Sequence, residues 1–380
     1  MNAESSPPLI SPDSGARPRL DSLDALRGLV MIIMALDHAR GFFSNVEFQP
    51  LDLEQGHAGW FLTRWITHFC APCFFFLAGT GAFLSMGRGK TKKDLFYFLW
   101  TRGVWLVFLE LTVLKFGWSF ELSYARPPVM LMMWAIGWSL IILALLIWLP
   151  FPVIAAYALL VVFGHNALDF LDQRKDLGVF EPWWIFLNKM GVISPIGDFK
   201  IFIVYPTLAW SGIVTLGYVF GMFYRWEASR RAVLLKRLGV ASVALFLLLR
   251  WTSVYGNPSP WNSEAPAWKA ALRFLDCHKY PPSLLYTLMT LGPSMFLLAW
   301  FEKLDWKGWL SPLVTFGRVP MFYFILHLFL THGLARLMGM KFGLWGIYGM
   351  WIAIVFLLYW PCRWFAELKQ RRRDVWLGYF

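Results

Sequence analysis

The feature that most constrains this chain is a series of long stretches that contain no Asp, Glu, Lys or Arg. Four of them are long enough to cross a bilayer as a helix of about 20 residues. They are Trp65 to Gly87, Ile201 to Tyr224, Tyr280 to Phe301 and Phe342 to Cys362. A fifth stretch, Pro127 to Leu168, contains Pro150 and Pro152 near its middle, so we expect two spans joined by a tight turn. The chain is therefore predicted to be a membrane protein.

The composition agrees with this prediction. Of the 380 residues, 58% are hydrophobic, 19% are aromatic and only 15% are charged, against roughly 25% charged residues in soluble domains. A net charge of +12 would suit a nucleic-acid-binding protein only if the basic residues clustered on a folded soluble face. Here most of them lie in short loops between apolar stretches. We exclude a disordered, fibrous or nucleic-acid-binding chain.

Four weaker spans, each interrupted by ionisable residues, bring the predicted total to ten. They are Leu26 to Phe43, Leu95 to Phe116, Leu238 to Tyr255 and Pro312 to Met338. With ten spans both termini lie on one side, and the loops on that side are richer in Lys and Arg. The positive-inside rule then places both termini in the cytoplasm. The predicted fold is all-α: a polytopic integral membrane protein of about ten transmembrane helices.

The predicted organisation is a single membrane domain between two tails. Residues 1–19 are polar, rich in Ser and Pro, and predicted to be a disordered cytoplasmic tail. Residues 20–366 form the ten-helix transmembrane domain, and residues 367–380 form a basic cytoplasmic tail. The pair Cys70 and Cys73 lies inside an apolar span, which favours simple packing over a redox or metal role. We therefore predict no metal.

Ionisable residues inside the predicted spans are the candidate site residues. A charge at mid-bilayer costs at least about 2.5 to 3.5 kcal/mol, so a retained charge is expected to form a pair or to line an aqueous path. Arg27, Arg102 and Arg318 lie toward the cytoplasm, where they could clamp the phosphates of a nucleotide-bearing donor. The alternatives are an internal ion pair, such as Arg102 with Glu110, or snorkelling to lipid head groups.

A second group of ionisable residues lies toward the outside, and histidine is prominent in it. Its members are Asp37, His38, Arg40, Arg64, His68, Asp169, Arg250, His327 and His332. Histidine titrates near neutral pH and can accept a proton from a hydroxyl or amine. Each His could instead only hydrogen-bond to a neighbouring helix. Asp37 and His38 point about 100° apart on a helix, which argues against a direct dyad. The concentration of these groups toward one face favours a site.

The first span resembles the opening helix of the acyltransferase-three family of membrane acyltransferases. The resemblance rests on Leu23-Asp24-Ala25-Leu26-Arg27-Gly28 and on His38, eleven residues after Arg27. In that family a His at this spacing is essential, so the resemblance implies such a role for His38. The segment His57-Ala58-Gly59-Trp60 is more similar to heparan-α-glucosaminide N-acetyltransferase. In that enzyme the His of a similar motif is the proposed catalytic residue, which the resemblance assigns to His57.

The overall similarity is to bacterial members of this acetyltransferase family, from about residue 19 to residue 335. It departs from the family at position 38, where His stands in place of Asn, and in a longer loop between positions 38 and 57. The resemblance implies a fold of about ten helices and a multi-pass location in the inner membrane. It also implies acetyl transfer from cytoplasmic acetyl-CoA to an extracytoplasmic acceptor, commonly a glycan.

We therefore predict a transmembrane O- or N-acetyltransferase with acetyl-CoA as co-substrate. Its predicted partners are the lipid bilayer, acetyl-CoA and an extracytoplasmic glycan; the oligomeric state stays open, a homodimer included. The predicted catalytic residues, with His as general base, are His38, His57 and Asp37. The predicted donor-binding residues are Arg27, Arg102 and Arg318. The predicted acceptor-binding residues are Arg40, Arg64, His68, Lys279, Tyr280 and His327.

Two competing hypotheses use the same residues differently. In a proton-coupled secondary transporter the buried charges would form a substrate path and a proton relay. A non-catalytic sensor or assembly partner would bind no acyl donor.

Overall fold

The computed structural model describes residues 20–86, 91–172, 177–261, 266–372 and 374–379. The predicted tail over residues 1–19 lies outside these described residues. The chain is mostly helical, and its helices are α1 Asp21–Phe43, α2 Ala58–Thr67, α3 Cys70–Met86, α4 Lys92–Leu109, α5 Lys115–Ser119, α6 Met132–Leu146, α7 Phe151–Gly164, α8 Glu181–Leu187, α9 Thr207–Phe220, α10 Ala228–Thr252, α11 Ala267–Phe274, α12 Leu284–Phe301, α13 Ser311–Arg318, α14 Pro320–Met338 and α15 Leu344–Arg371.

Within the described residues, eight helices are long and apolar enough to cross a membrane. They are Ala58–Met86, Lys92–Ser119, Phe151–Leu171, Thr207–Arg225, Ala228–Thr252, Leu284–Phe301, Pro320–Met338 and Leu344–Arg371. This confirms the prediction of an all-α, polytopic membrane protein. The other two predicted spans correspond to α6, which is shorter, and to α1, whose 23 residues include Asp21, Asp24, Arg27, Asp37 and Arg40.

Three predicted boundaries differ from the structure for local reasons. The predicted span Pro312 to Met338 is broken at Val319, because the residue before a proline is disfavoured in the helical conformation. The predicted span Ile201 to Tyr224 begins as a strand, and its helix starts only after Pro206. The last helix continues past residue 362 to Arg371.

A small sheet joins the starts of two membrane helices. Its strands are β1 Val129–Met130, β2 Gly191–Ile196 and β3 Phe199–Ile203, in the order β1-β3-β2. The pairing of β1 with β3 is parallel, whereas β2 pairs antiparallel with β3. Because β1 precedes α6 and β3 precedes α9, the parallel pair places the beginnings of these two helices side by side.

The closest helix crossing that shapes the site is that of α1 with α13. A Cβ atom built on Gly28 would overlap the backbone carbonyl of Leu313, and one built on Gly317 would overlap that of Asp24. The two backbones can meet at this distance only because both positions lack a side chain. The crossing brings Arg27 within 3.0 Å of the Gly317 carbonyl oxygen and sets Arg318, the last residue of α13, beside the start of α1.

We expect the substitution Gly317→Ala to destabilise the protein by about 1 to 3 kcal/mol, because an added methyl group must separate two packed backbones. The measurement is thermal unfolding of the purified protein in detergent, followed by tryptophan fluorescence. Gly349→Ala in α15 is the matched control, since a Cβ there meets no described atom within 4 Å. Equal melting temperatures for the two variants would contradict the prediction that the crossing of α1 and α13 requires glycine at position 317.

Candidate functional site

A cavity of about 750 Å³ enters the helical bundle between α1, α3, α4, α6 and α14. This volume lies in the range of ligand-binding pockets. All three predicted donor-binding arginines line it, and we call this part of the protein the arginine end: Arg27, Arg102 and Arg318. Arg225 and Lys369 also line the cavity, and Asp24 is the acidic residue among the lining residues. The arginine end therefore carries an excess of positive charge and suits a polyanionic ligand.

The three arginines differ in how far their charge is already satisfied. Arg27 donates to Asp24 at 2.9 Å, and Arg318 donates to Asp21 at 3.0 Å. Arg102 donates to the backbone carbonyl oxygen of Gly378 at 2.9 Å. Because a carbonyl carries no net charge, the Arg102 guanidinium retains its capacity for an anion.

The alternative ion pair of Arg102 with Glu110 is not formed. Glu110 is buried in a π-helical turn at the end of α4 and accepts the backbone N–H groups of Met133 and Trp134, at 2.9 and 3.1 Å. A carboxylate at this position satisfies the free N–H groups at the start of α6. Glu110 therefore has a structural role, and Arg102 is left facing the cavity.

The cavity becomes apolar away from the arginines. Met31, Leu77, Met132 and Phe324 line this inner part. The ring of Phe324 lies 6.2 Å from that of His38 and 5.3 Å from that of His327, measured between ring centroids. The cavity thus extends from the three arginines to Phe324, whose ring lies next to the rings of His38 and His327.

His38 and His327 form a hydrogen-bonded pair, which we call the histidine end of the site. His38 Nδ1 lies 2.6 Å from His327 Nε2, and His327 Nδ1 lies 3.1 Å from the carbonyl oxygen of Tyr323. A carbonyl oxygen can only accept, so the network assigns the proton of a neutral His327 to Nδ1. Its Nε2 then accepts from His38 Nδ1–H. The lone pair of His38 Nε2 is left available as a base.

Among the described residues, Asp37 makes no hydrogen bond to either histidine of this pair, and its predicted catalytic role stays a prediction. Both of its carboxylate oxygens accept from Arg64 Nη1 at 2.7 Å. Arg40 also pairs with Asp37, and Thr67 Oγ1 donates to it at 3.1 Å. The hydrogen-bond partner of His38 is His327, a residue that we had predicted to bind the acceptor.

The structure separates His57 from the histidine pair. His57 is exposed at the start of α2, where its Nδ1 accepts the backbone N–H of Gly59 at 3.2 Å. Arg64, which contacts Asp37, lies seven residues further along α2, or about 10 Å at the rise of an α-helix. His57 therefore lies at the exposed start of α2, about 10 Å along the helix from Arg64, and its predicted catalytic role stays a prediction.

Another predicted acceptor-binding histidine lies in the core. His68 is only 1% exposed, and its backbone carbonyl accepts the hydroxyl of Tyr286 at 2.7 Å. The His68 ring packs against Tyr286, with 5.4 Å between centroids. The Nδ1 atom of the His68 ring has no hydrogen-bond partner among the described residues, so its predicted role in acceptor binding stays a prediction.

The predicted residues Lys279 and Tyr280 lie next to the Asp37 cluster. Arg64 Nη2 donates to the Tyr280 hydroxyl at 3.4 Å. The ammonium group of Lys279 lies 5.1 Å from the centroid of the Tyr280 ring and 5.8 Å from that of Tyr205. Ser283 caps α12, with its hydroxyl accepting from Tyr286 N–H at 3.1 Å. The segment is thus held against Arg64, which itself pairs with Asp37.

Two residues that line the cavity, and one that contacts His38, carried no signal in the sequence. Arg225 and Lys369 occur in basic clusters that look like ordinary topology signals, yet both line the cavity. Trp118, whose ring lies 4.8 Å from that of His38 at an angle of 70°, is one of many tryptophans near helix ends. Only the packing of the helices distinguishes these residues from their neighbours.

Together, the bundle and its cavity define a multi-pass membrane protein that can hold an acidic ligand with an apolar portion against a histidine. Residues 19–256 match the family described as heparan-alpha-glucosaminide N-acetyltransferase, catalytic. The match covers more than half of the chain, and the chain belongs to this family. Membership supports transmembrane acetyltransferase activity in general, with acetyl-CoA as the general donor.

The family match also has a boundary. Lys279, Arg318 and His327 lie beyond residue 256, where it ends. No curated protein matches the chain.

Proposed function

We propose that this protein transfers an acetyl group from cytoplasmic acetyl-CoA to a hydroxyl or amine on an extracytoplasmic glycan, across a bacterial inner membrane. The observation that carries the proposal is the cavity that runs from Arg27, Arg102 and Arg318 to Phe324, beside the histidine pair. The Lys- and Arg-rich loops on the N-terminal side support a cytoplasmic arginine end and an extracytoplasmic histidine end.

The residues at the arginine end fit the donor. Arg27, Arg102 and Arg318 would hold the phosphates of CoA through charge-assisted hydrogen bonds. The apolar lining beyond them, including Met31, Leu77 and Met132, suits the pantetheine arm. Bound in this way, acetyl-CoA supplies an activated thioester near the histidine end.

At the histidine end, the protein's own contribution is a base in a fixed orientation. His38 Nε2 accepts the proton of the acceptor hydroxyl or amine as the acetyl carbon forms a bond to that oxygen or nitrogen. The carbon–sulfur bond breaks, and the proton held by His38 passes to the departing thiolate. His327 fixes the His38 tautomer, as a carboxylate does in a catalytic triad. Because His327 carries no charge when neutral, it orients the base without adding a counter-ion.

The decisive experiment uses the purified full-length protein in detergent. It measures saturable binding of acetyl-CoA and the release of free CoA thiol when glycan acceptors are added. Saturable binding with acceptor-dependent thiol release supports acetyl transfer. Uptake of a solute into proteoliposomes that depends on a proton gradient, without thiol release, would instead establish the transporter.

We expect His327→Leu to lower kcat by about 10- to 100-fold, because the hydrogen bond that fixes the His38 tautomer is worth about 1 to 3 kcal/mol. His327→Gln retains an acceptor oxygen for His38 Nδ1–H and should recover much of the loss. Steady-state kinetics checks both variants, and KM for acetyl-CoA should not change. If Leu and Gln lower kcat equally and also lower the melting temperature, His327 acts through packing alone.

A further inference from the structure

A second cluster of positive charge, which donor binding does not use, lies around Asp37, the residue that precedes His38. Arg40, Arg64 and Lys279 lie together there, and the nearby carboxylate is that of Asp37. Asp37 is shared between both arginines. Lys279 makes only aromatic contacts among the described interactions, over the rings of Tyr205 and Tyr280. The cluster therefore has two positive charges in excess.

Burial makes this excess significant. The side chain of Arg40 is only 9% exposed, and its Nη1 has no hydrogen-bond partner among the described residues. The side chains of Arg64 and Asp37 are 18% and 21% exposed. Removing cations from water is costly unless an anion compensates them. One carboxylate shared by two guanidinium groups gives only partial compensation, so the cluster can accept a further anion.

The neighbouring phenol shows the same positive potential. Burial would raise the pKa of Tyr280, but the charges of Lys279 and Arg64, together with a hydrogen bond from Tyr205, outweigh burial and lower this pKa to about 8. The ring of Tyr280 stands edge-on to that of Tyr205, with 5.0 Å between centroids and an angle of 71°. Two aromatic faces beside a cationic group form a surface that suits a sugar ring bearing a negative charge.

We propose that the acceptor carries an anionic group, a carboxylate or a phosphate, which Lys279 and Arg64 bind so that a nearby hydroxyl or amine faces His38. This inference rests on the proposed acetyl transfer and specifies its substrate class. Two kinds of acceptor would present such an anionic group: a glycan that contains an acidic sugar, or a lipid with a phosphate headgroup. Both present hydroxyl groups close to the charge.

The first arm of the test compares glucuronate with glucose as acetyl acceptors, using the full-length protein in phosphatidylcholine nanodiscs. We expect kcat/KM to be at least 10-fold higher for glucuronate and the difference to shrink as salt screens the charges. Lys279→Met should bring the glucuronate value down to that of glucose while acetyl-CoA binding stays unchanged. Lys200→Met, at an exposed position of β3, is the matched control and should keep the preference.

The second arm distinguishes the two sources. The protein is placed in nanodiscs of phosphatidylglycerol or phosphatidylcholine, and acetylated lipid is measured by mass spectrometry. Acetylated phosphatidylglycerol, lost in Lys279→Met, would identify the lipid headgroup as the source. Preference for glucuronate without lipid product would identify the acidic sugar.

Two results would overturn the inference. The first is equal use of glucuronate and glucose, with no acetylated lipid, by a protein that does release CoA thiol. If no acceptor supports thiol release, the proposed function fails, but the anion site can still be tested separately. That test supplies the second result. Anion binding is then measured directly by ultraviolet titration of the tyrosines, in which bound inorganic phosphate should raise the pKa of Tyr280. An unchanged titration in saturating phosphate would end the proposal.

Discussion

His38→Ala is expected to reduce acetyl transfer by about 10² to 10⁴-fold, the range that general acid–base catalysis contributes. The substitution removes the base whose Nε2 is left available by the bond from Nδ1 to His327. It leaves the arginine end unchanged, so the dissociation constant for acetyl-CoA should stay the same. The measurement combines the rate of CoA thiol release with equilibrium binding of acetyl-CoA to the same preparation.

His57→Ala is the comparison that decides between the two histidines. Its ring lies exposed at the start of α2, so we expect a change in KM for the acceptor and a kcat that is close to that of the wild type. The opposite pattern, with full activity in His38→Ala and a loss of kcat in His57→Ala, would assign the base to His57. Loss of kcat in both variants would favour two histidines that act in successive proton transfers.

Arg102→Gln is expected to weaken acetyl-CoA binding by about 10- to 100-fold. A hydrogen bond to a charged group is worth about 1.5 to 3 kcal/mol, and 1.4 kcal/mol corresponds to a factor of ten. Arg102 is the best position for the test because its hydrogen bond in the structure is to a backbone carbonyl rather than to a carboxylate. Its removal therefore leaves no buried acid unpaired. Isothermal titration with acetyl-CoA measures the effect.

The control is Arg237→Gln, at an exposed position of α10 that does not line the cavity. Both variants lose one positive charge, so a general effect of net charge would appear in both. Acetyl-CoA and its dephospho form, which lacks one phosphate group, should have different dissociation constants for the wild type. We expect this difference to be smaller for Arg102→Gln. Equal affinity of wild type and Arg102→Gln for acetyl-CoA would remove Arg102 from the donor site.

The helices, and the order of the candidate residues along each helix, could be predicted from the sequence. Arg27 and His38 lie on the same predicted span, so their order along α1 follows directly from their numbers. The charge-free stretches likewise mark most of the spans. These properties are local, because hydropathy and helical rise act within one segment.

The pairing of residues could not be predicted, because it depends on how distant helices pack. His38 and His327 are 289 residues apart, and only the position of α14 against α1 joins them. The same holds for Asp37, which is a sequence neighbour of His38 but points toward Arg64 on α2. The backbone contact of α1 with α13, which requires Gly28 and Gly317, also brings Arg318 to the arginine end from far along the chain.

Helix α1 has a further consequence for the choice of donor. Eleven residues separate Arg27 from His38, which corresponds to about 16 Å along the axis and to a rotation only about 20° beyond three full turns. The two side chains therefore leave the same side of one rigid rod. A donor anchored by its phosphates at Arg27 brings its thioester to His38 only if the arm between them has this length. In the proposed mechanism, the length of this helical segment therefore limits which donors can react, in addition to the charge at the arginine end.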